Sequence, residues 1–275
     1  MNEVAQSRWF YMLMEMHEYS EALHLAETGI LRGRDPDSWQ EDRTAVLFFA
    51  GGDLEPRREV FAQELSKPWR SARDLQHKMG DAFFELFLEH RFADLRNLID
   101  GVPQVEDWNC TYLDWTLFRV GLMPVADFRG WTDMLMGDRD QMRRDGQRML
   151  DYLQRHPETK WNRWFHLMLR ADAQLFLGDG DAANRTAAEA VALTKAKPDV
   201  SDQMNAYVWS THILAWTGAK SQAVTRLVEL STSVPGLWPG EITGNPIFSI
   251  PLKQFSGYKA LRAQLTTQMR AAQLK

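Results

Sequence analysis

The chain has 275 residues, 44% of them hydrophobic and 11% aromatic, with eleven tryptophans; a composition this apolar excludes intrinsic disorder. A formal net charge of -5 argues against nucleic acid as the main partner, because phosphate binding needs a clustered excess of Lys and Arg. The single cysteine, Cys110, has no intramolecular disulfide partner, which fits a reducing compartment.

Met1 to Gln6 lack the basic start and apolar core of a secretory signal. The apolar run Trp9 to Met14 is far short of the roughly 20 residues that span a bilayer. A cytoplasmic location without membrane insertion is therefore expected. Val4 to Met16 and Ser20 to Leu31 predict a first helical hairpin, broken at Gly33, where Asp35 is placed as a cap and Pro36 as a first-turn residue. Trp39 to Phe49, the turn Gly51-Gly52-Asp53 and Glu55 to Leu65 predict a second pair. After Pro68, Ser71 to Asp74 has capping-box spacing ahead of a helix reaching about Leu88. Its short partner starts at His90 and stops at Gly101-Val102-Pro103.

A fourth pair is read from Val105 to Val120 and from Pro124 to Met136. Trp108, Cys110, Tyr112, Trp115 and Phe118 crowd its first half, and Gly130-Trp131 interrupts its second. Asp138 to Arg155 is a clear helix without an obvious mate, so a joint is expected near residues 130 to 138. That joint would split one solenoid over 1–275 into two lobes, 1–137 and 138–275. The basic clusters Arg57-Arg58 and Arg139, Arg143, Arg144, Arg148 are diluted by Glu55, Glu59, Asp138, Asp140 and Asp145, and read as solvated helix faces.

From Asn162 to Leu230 the pattern is clearest. An apolar-periodic segment from Arg170 closes on Gly178-Asp179-Gly180-Asp181, and the next opens at once with Ala183, Ala187 and Ala190 on one helical face. Forty residues on, Trp209 to Trp216, Gly218-Ala219-Lys220 and Ala223 to Leu230 repeat the design. This stretch resembles the tetratricopeptide repeat family: Ala171, Ala183 and Ala190 match its small positions in one unit and Gly178 its turn, while Gly218 and Ala223 match in the next, with Thr211 and Leu230 departing. Ala22, Ala26 and Gly29 give a fair third match, and the period drifts from about 34 residues to about 40.

The tail from Ser233 to Phe248, with Phe255 and a closing helix from about Tyr258 to Met269, is similar to the ends of repeat domains in bacterial multidomain regulators, with Asn245 where an Asp is usual. Ser231 to Leu252 holds four prolines and apolar Trp238, Ile242, Ile247, Phe248 and Ile250, so it is read as packed: with the final helix, a cap (231–275) over the last repeat. The resemblance implies an all-α, right-handed α-α superhelix of about six hairpins.

No catalytic signature is present: no P-loop, dinucleotide glycine motif, nucleophile elbow or paired zinc cysteines. His17-Glu18 is followed by Glu21 where a zinc-protease helix needs its second histidine. Asp179-Gly180-Asp181 lacks the later ligands of a calcium loop. No enzyme activity, cofactor or metal is therefore expected.

In the family resembled, the first helix of each hairpin lines the concave face. By that resemblance Phe165, Met168, Asp172, Phe176, Asn205, Val208, His212 and Trp216 would line a groove for another protein or peptide, with Trp161, Arg163 and Trp164 at its rim. The residues alone equally allow Phe176 and Trp216 to be interhelical core. For the family's clamp on a peptide carboxylate only Asn162, Arg163, Arg170 and Asn205 are available. The expected function is a non-catalytic protein- or peptide-binding scaffold. The alternative is a regulatory sensor that binds a small ligand and controls an effector domain absent from this chain; a pocket closed by Ser231 to Leu252 would distinguish it. The tryptophans leave room for a homodimer face, though core packing explains them equally well.

Overall fold

The computed structural model describes residues 3–33, 35–66, 83, 85–101, 106–109, 122–159, 162–196, 199–233 and 236–273. The expected capping box at Ser71, the crowded residues Cys110 to Phe118, and Trp161 lie outside them. The described residues form helices α1 (Glu3–Glu15), α2 (Tyr19–Arg32), α3 (Pro36–Gly51), α4 (Glu55–Ser66) and α5 (Phe92–Gly101), then strands β1 (Asp107–Asn109) and β2 (Leu122–Pro124). Helices α6 (Val125–Met136), α7 (Arg139–Arg155), α8 (Arg163–Leu177), α9 (Gly180–Lys195), α10 (Val200–Trp216) and α11 (Lys220–Thr232) follow. Short α12 (Pro239–Gly244) and α13 (Pro246–Leu252) precede the long closing α14 (Ser256–Gln273). The described residues are helical apart from turns and this antiparallel ribbon, in which Asp107 pairs with Pro124 and Asn109 with Leu122.

Among the described residues, a positive φ occurs at His17, Gly52, His90, Gly137, Gly178 and Gly218, and each lies in the tight turn where one helix hands over to the next. At Gly178 (φ 90°) the amides of Gly178 and Asp179 donate to Leu175 O and Gln174 O, both at 2.9 Å, so the last carbonyls of α8 are satisfied by a left-handed reversal. Asp179 then accepts from Ala182 N at 3.0 Å and caps α9. Gly137 and Asp138 repeat this device between α6 and α7, with the Asp138 side chain accepting from Gln141 N. His17 does the same between α1 and α2 with a side chain in place. These turns make helical hairpins.

The fourth pair is thereby corrected. Residues 107–109 are strand rather than part of a helix from Val105, and the mate of α6 is α7. Gly130 is no interruption: a Cβ there would stand 2.2 Å from the Phe176 ring, so the glycine lets α6 approach α8. Gly146 on α7 also faces α8, less tightly, its would-be Cβ 3.0 Å from Ala173 O.

The chain divides into two compact units, Met1–Pro68 with Leu227–Asn245 and Gln254–Lys275, and Trp69–Arg226 with Pro246–Lys253. Gly137 and Asp138 fall together inside the second. In the first unit α3 packs against α2, α4, α12 and α14. Trp39 lies on Gly29, and Trp238 stacks 4.6 Å from Phe49 while its indole N–H donates to Met14 O at 2.9 Å. Gly240 sits against the α3 backbone, where a Cβ would meet Phe48 O at 2.0 Å, and the Tyr258 hydroxyl donates to Ile242 O. Trp238, Ile242, Ile247 and Phe248 are buried as expected of a packed segment, while Ile250 is exposed. Its two short helices belong to different units: α12 lies on α3, and only α13 lies on α10.

In the second unit α6 to α10 pack as consecutive neighbours, and α8 also touches α6 and α10. Ala171, Ala183, Ala190 and Thr211 are fully buried where these helices meet, and the Thr211 hydroxyl is satisfied by Tyr207 O.

Substitutions at the turns should have opposite signs. Gly178→Ala places a Cβ in a left-handed backbone and should cost about 1–2 kcal/mol, whereas His17→Gly should stabilise by up to about 1 kcal/mol. Urea denaturation of both variants checks this, and the same sign for both would contradict it.

Candidate functional site

Five of the eight residues expected in a groove are interior. Met168, Asp172 and Phe176 on α8 and Val208 and His212 on α10 are buried, whereas Phe165, Asn205 and Trp216 are half-buried. The cause is packing on several sides: the α8 face carrying Asp172 and Phe176 meets α6 as well as α10. Of the rim residues, Trp164 is buried and Arg163 is exposed, facing Glu189 at 3.2 Å and Glu158 at 3.8 Å.

At the centre of this unit two carboxyls meet. Asp172 and Asp127, on α8 and α6, are both fully buried and close enough for each to act on the other's charge. Two carboxyls buried so close together favour a proton on one of them. Asp172 Oδ2 accepts from the indole N–H of Trp209 at 2.7 Å and of Trp131 at 3.4 Å, while no N–H among the described residues reaches the Asp127 carboxyl. The donors therefore favour charge on Asp172 and leave the proton on Asp127. Burial pushes the Asp172 carboxyl up, to about 7, against the lowering by Trp209, Asp127 and Trp131. It pushes Asp127 well above the usual range, with the Asp172 charge adding to the shift.

His212 lies nearby, its ring 4.6 Å from Phe248 and 6.3 Å from Trp131, and burial lowers its pKa to about 3, so it is neutral at pH 7. The Trp216 indole N–H donates to Ile247 O at 2.9 Å and fastens α13 to α10. The cluster is sealed from solvent and ties α8 to α6 and α10 through directed bonds.

A second carboxyl pair, Asp133 and Asp145, joins α6 to α7. Arg96 of α5 bonds to Asp133 and Arg148 to Asp145. Burial raises the Asp133 carboxyl, Asp145 adds to the rise, and Arg96 opposes it.

An accessible cavity of about 500 Å³ lies at the C-terminal end of α7 and the start of α8. Tyr152, Arg155, His156, Asn162, Phe165 and His166 line it, with Pro157 and Leu169. Its mouth is shaped by the short connection from α7: Asn162 Oδ1 accepts from Thr159 N at 2.6 Å and from the Thr159 hydroxyl at 2.9 Å. The His156 ring stacks on Tyr152 at 4.3 Å, and Phe165 stands edge-on to Trp209 at 5.9 Å. His166 is only 5% exposed. Burial lowers its pKa, Arg170 and His156 acting the same way and Glu158 opposing.

Phe165 was expected at a binding surface and Asn162 among the polar groups near it; Arg155, His156 and His166 were not. His156-Pro157 reads in sequence only as a helix end, and Asp127 has no local pattern to mark it.

No protein-family model, curated protein or solved structure matches this chain. Among the described residues no helix is long and apolar enough to cross a membrane, and no group of three or more His, Cys, Asp or Glu residues is placed to hold a metal ion.

The acid pair predicts a pH dependence. An acid whose folded pKa is raised binds more protons folded than unfolded, so its stability contribution is present below the unfolded value near 4 and is lost as pH rises towards 7 and above. Asp127→Asn supplies the N–H permanently and should reduce this loss, gaining on the wild type between pH 5 and pH 8 in urea titrations. Asp172→Leu removes the acceptor that two buried indole N–H groups share and should cost about 2–5 kcal/mol at either pH. An unchanged pH slope in Asp127→Asn would contradict the assignment.

Proposed function

We propose that the chain is a non-catalytic adaptor built from tetratricopeptide-like hairpins, and that it binds another protein or a peptide. The observation that carries this reading is the recurrence of one device, a helix pair closed by a left-handed residue, at positions 17, 52, 90, 137, 178 and 218. Repeated hairpins are the architecture of solenoids, whose use is to present an extended face to a polypeptide. The right-handed superhelix belongs to this proposal. The carboxyl pair Asp127–Asp172 is sealed inside the second unit, where no substrate reaches it, which supports a role in binding rather than catalysis.

The binding surface is narrower than the sequence pattern implies. Phe165 on α8 and Asn205 on α10 remain partly open, so one apolar and one polar group are offered from these two helices. Trp216 is held by α13 and acts mainly in packing.

A regulatory sensor is the second reading, and the cavity beside Phe165 favours it, since its volume is in the range of small-ligand sites. That cavity is lined by α7, α8 and their connection, not by the Ser231 to Leu252 segment.

The test is affinity capture from soluble extract of the source cell, wild type against Phe165→Ala, Asn205→Ala, with circular dichroism to show that the variant is folded. Specific polypeptides captured by the wild type and lost by the variant are expected. An equal catch would place the surface elsewhere, and no specific catch would overturn the adaptor reading.

A further inference from the structure

We infer that the cavity between the C-terminal end of α7 and the first turns of α8 is a binding site for an organic carboxylate with an apolar body. The inference goes beyond the adaptor reading and needs no protein partner. Three observations converge on it. The walls are apolar where a body would lie, from Tyr152, Phe165 and Leu169. The mouth holds one guanidinium: Arg155 stands there beside the His156 imidazole. Finally, His166 is buried to 5% exposure, lines the cavity, and makes no side-chain hydrogen bond among the described residues. Its imidazole can donate to or accept from a polar group bound in the cavity.

The chain itself shows what the mouth holds. The Glu106 carboxylate is bound by Arg155, and its second oxygen lies 3.4 Å from His156 Nε2. Glu106 is thus a carboxylate from the same chain resting on the two groups that would receive a ligand. The three side chains are 48%, 57% and 44% exposed, and an ion pair so open to water is weak and exchangeable. An incoming carboxylate can take the place of Glu106 on the planar guanidinium, which favours two-oxygen contact. Its body would then pass inward along Phe165 to within reach of His166. Kept neutral by burial, His166 offers one N–H donor and one acceptor to a polar group on that body. Glu158 is the acidic neighbour that opposes the anion, and Arg170 the further cation that assists it.

The same chemistry has two sources, a free organic acid and the carboxylate end of a polypeptide. The experiment is isothermal titration calorimetry on the full chain with N-acetylphenylalaninate, its neutral amide, and a hexapeptide ending in phenylalanine. Saturable binding of the acid is expected, with the amide at least about tenfold weaker. Arg155→Gln should weaken the acid by a similar factor, whereas Glu106→Gln, which removes the internal competitor, should tighten it. Opposite effects from the two halves of one ion pair are not expected of a merely structural contact, and both residues are exposed enough for the variants to fold. Hexapeptide binding stronger than that of the single residue assigns the site to chain ends, and equal binding assigns it to free acids. Equal binding of acid and amide, weakening by Glu106→Gln, or no heat up to about 5 mM ligand would each overturn the proposal.

Discussion

One proton placed between two buried carboxyls organises the second unit. Without it, Asp127 and Asp172 would be like charges sealed in a low-dielectric interior, which no packing gain could offset. With it, Asp127 has a proton to donate towards Asp172, whose Oδ2 accepts from Trp131 and Trp209. Four side chains from α6, α8 and α10 are thereby held in one relative arrangement. Apolar packing tolerates sliding of one helix along another; an indole N–H 2.7 Å from a carboxylate does not.

The small residues then set how near the helices come. Gly130 admits Phe176 and Gly146 admits the α8 backbone, so α6 and α7 both lie against α8, and Phe176 meets Trp131 edge-on at 5.5 Å. That closeness leaves no open groove on the inner face of α8. Accessible chemistry is found at the end of the helix, where α7 stops at His156 and the cavity is lined by residues of α7, α8 and Asn162. Burial of the inner face and opening of the cavity are thus two results of the same packing.

The hairpins were legible at Gly52-Asp53 and Gly178-Asp179, because the left-handed stop and the residue that follows it are both local. At 137 the signal was present and was outweighed by Gly130, whose role is visible only against Phe176, 46 positions away in a chain of 275. His17 and His90 carry the same turn with side chains that do not announce it. The candidate groove failed for a related reason. Helical spacing shows that Met168, Asp172 and Phe176 share a face, but not whether that face meets a ligand or two other helices. Asp172 in particular was read as a polar contact for a peptide. Its true contacts, Asp127, Trp131 and Trp209, come from other helices and leave no trace at local spacing.

The central claim, that Asp127 carries the proton, is open to infrared spectroscopy of the protonated carboxyl C=O stretch at pH 7.5, recorded for the wild type and for Asp127→Asn in water and in deuterium oxide. Other raised carboxyls, Asp42 and Asp133, contribute to both proteins and cancel in the difference. A deuterium-sensitive carboxylic band present in the wild type and missing from the variant is the predicted result. Superimposable spectra would mean that the pair holds no such proton, and the arrangement of α6, α8 and α10 would need another physical basis.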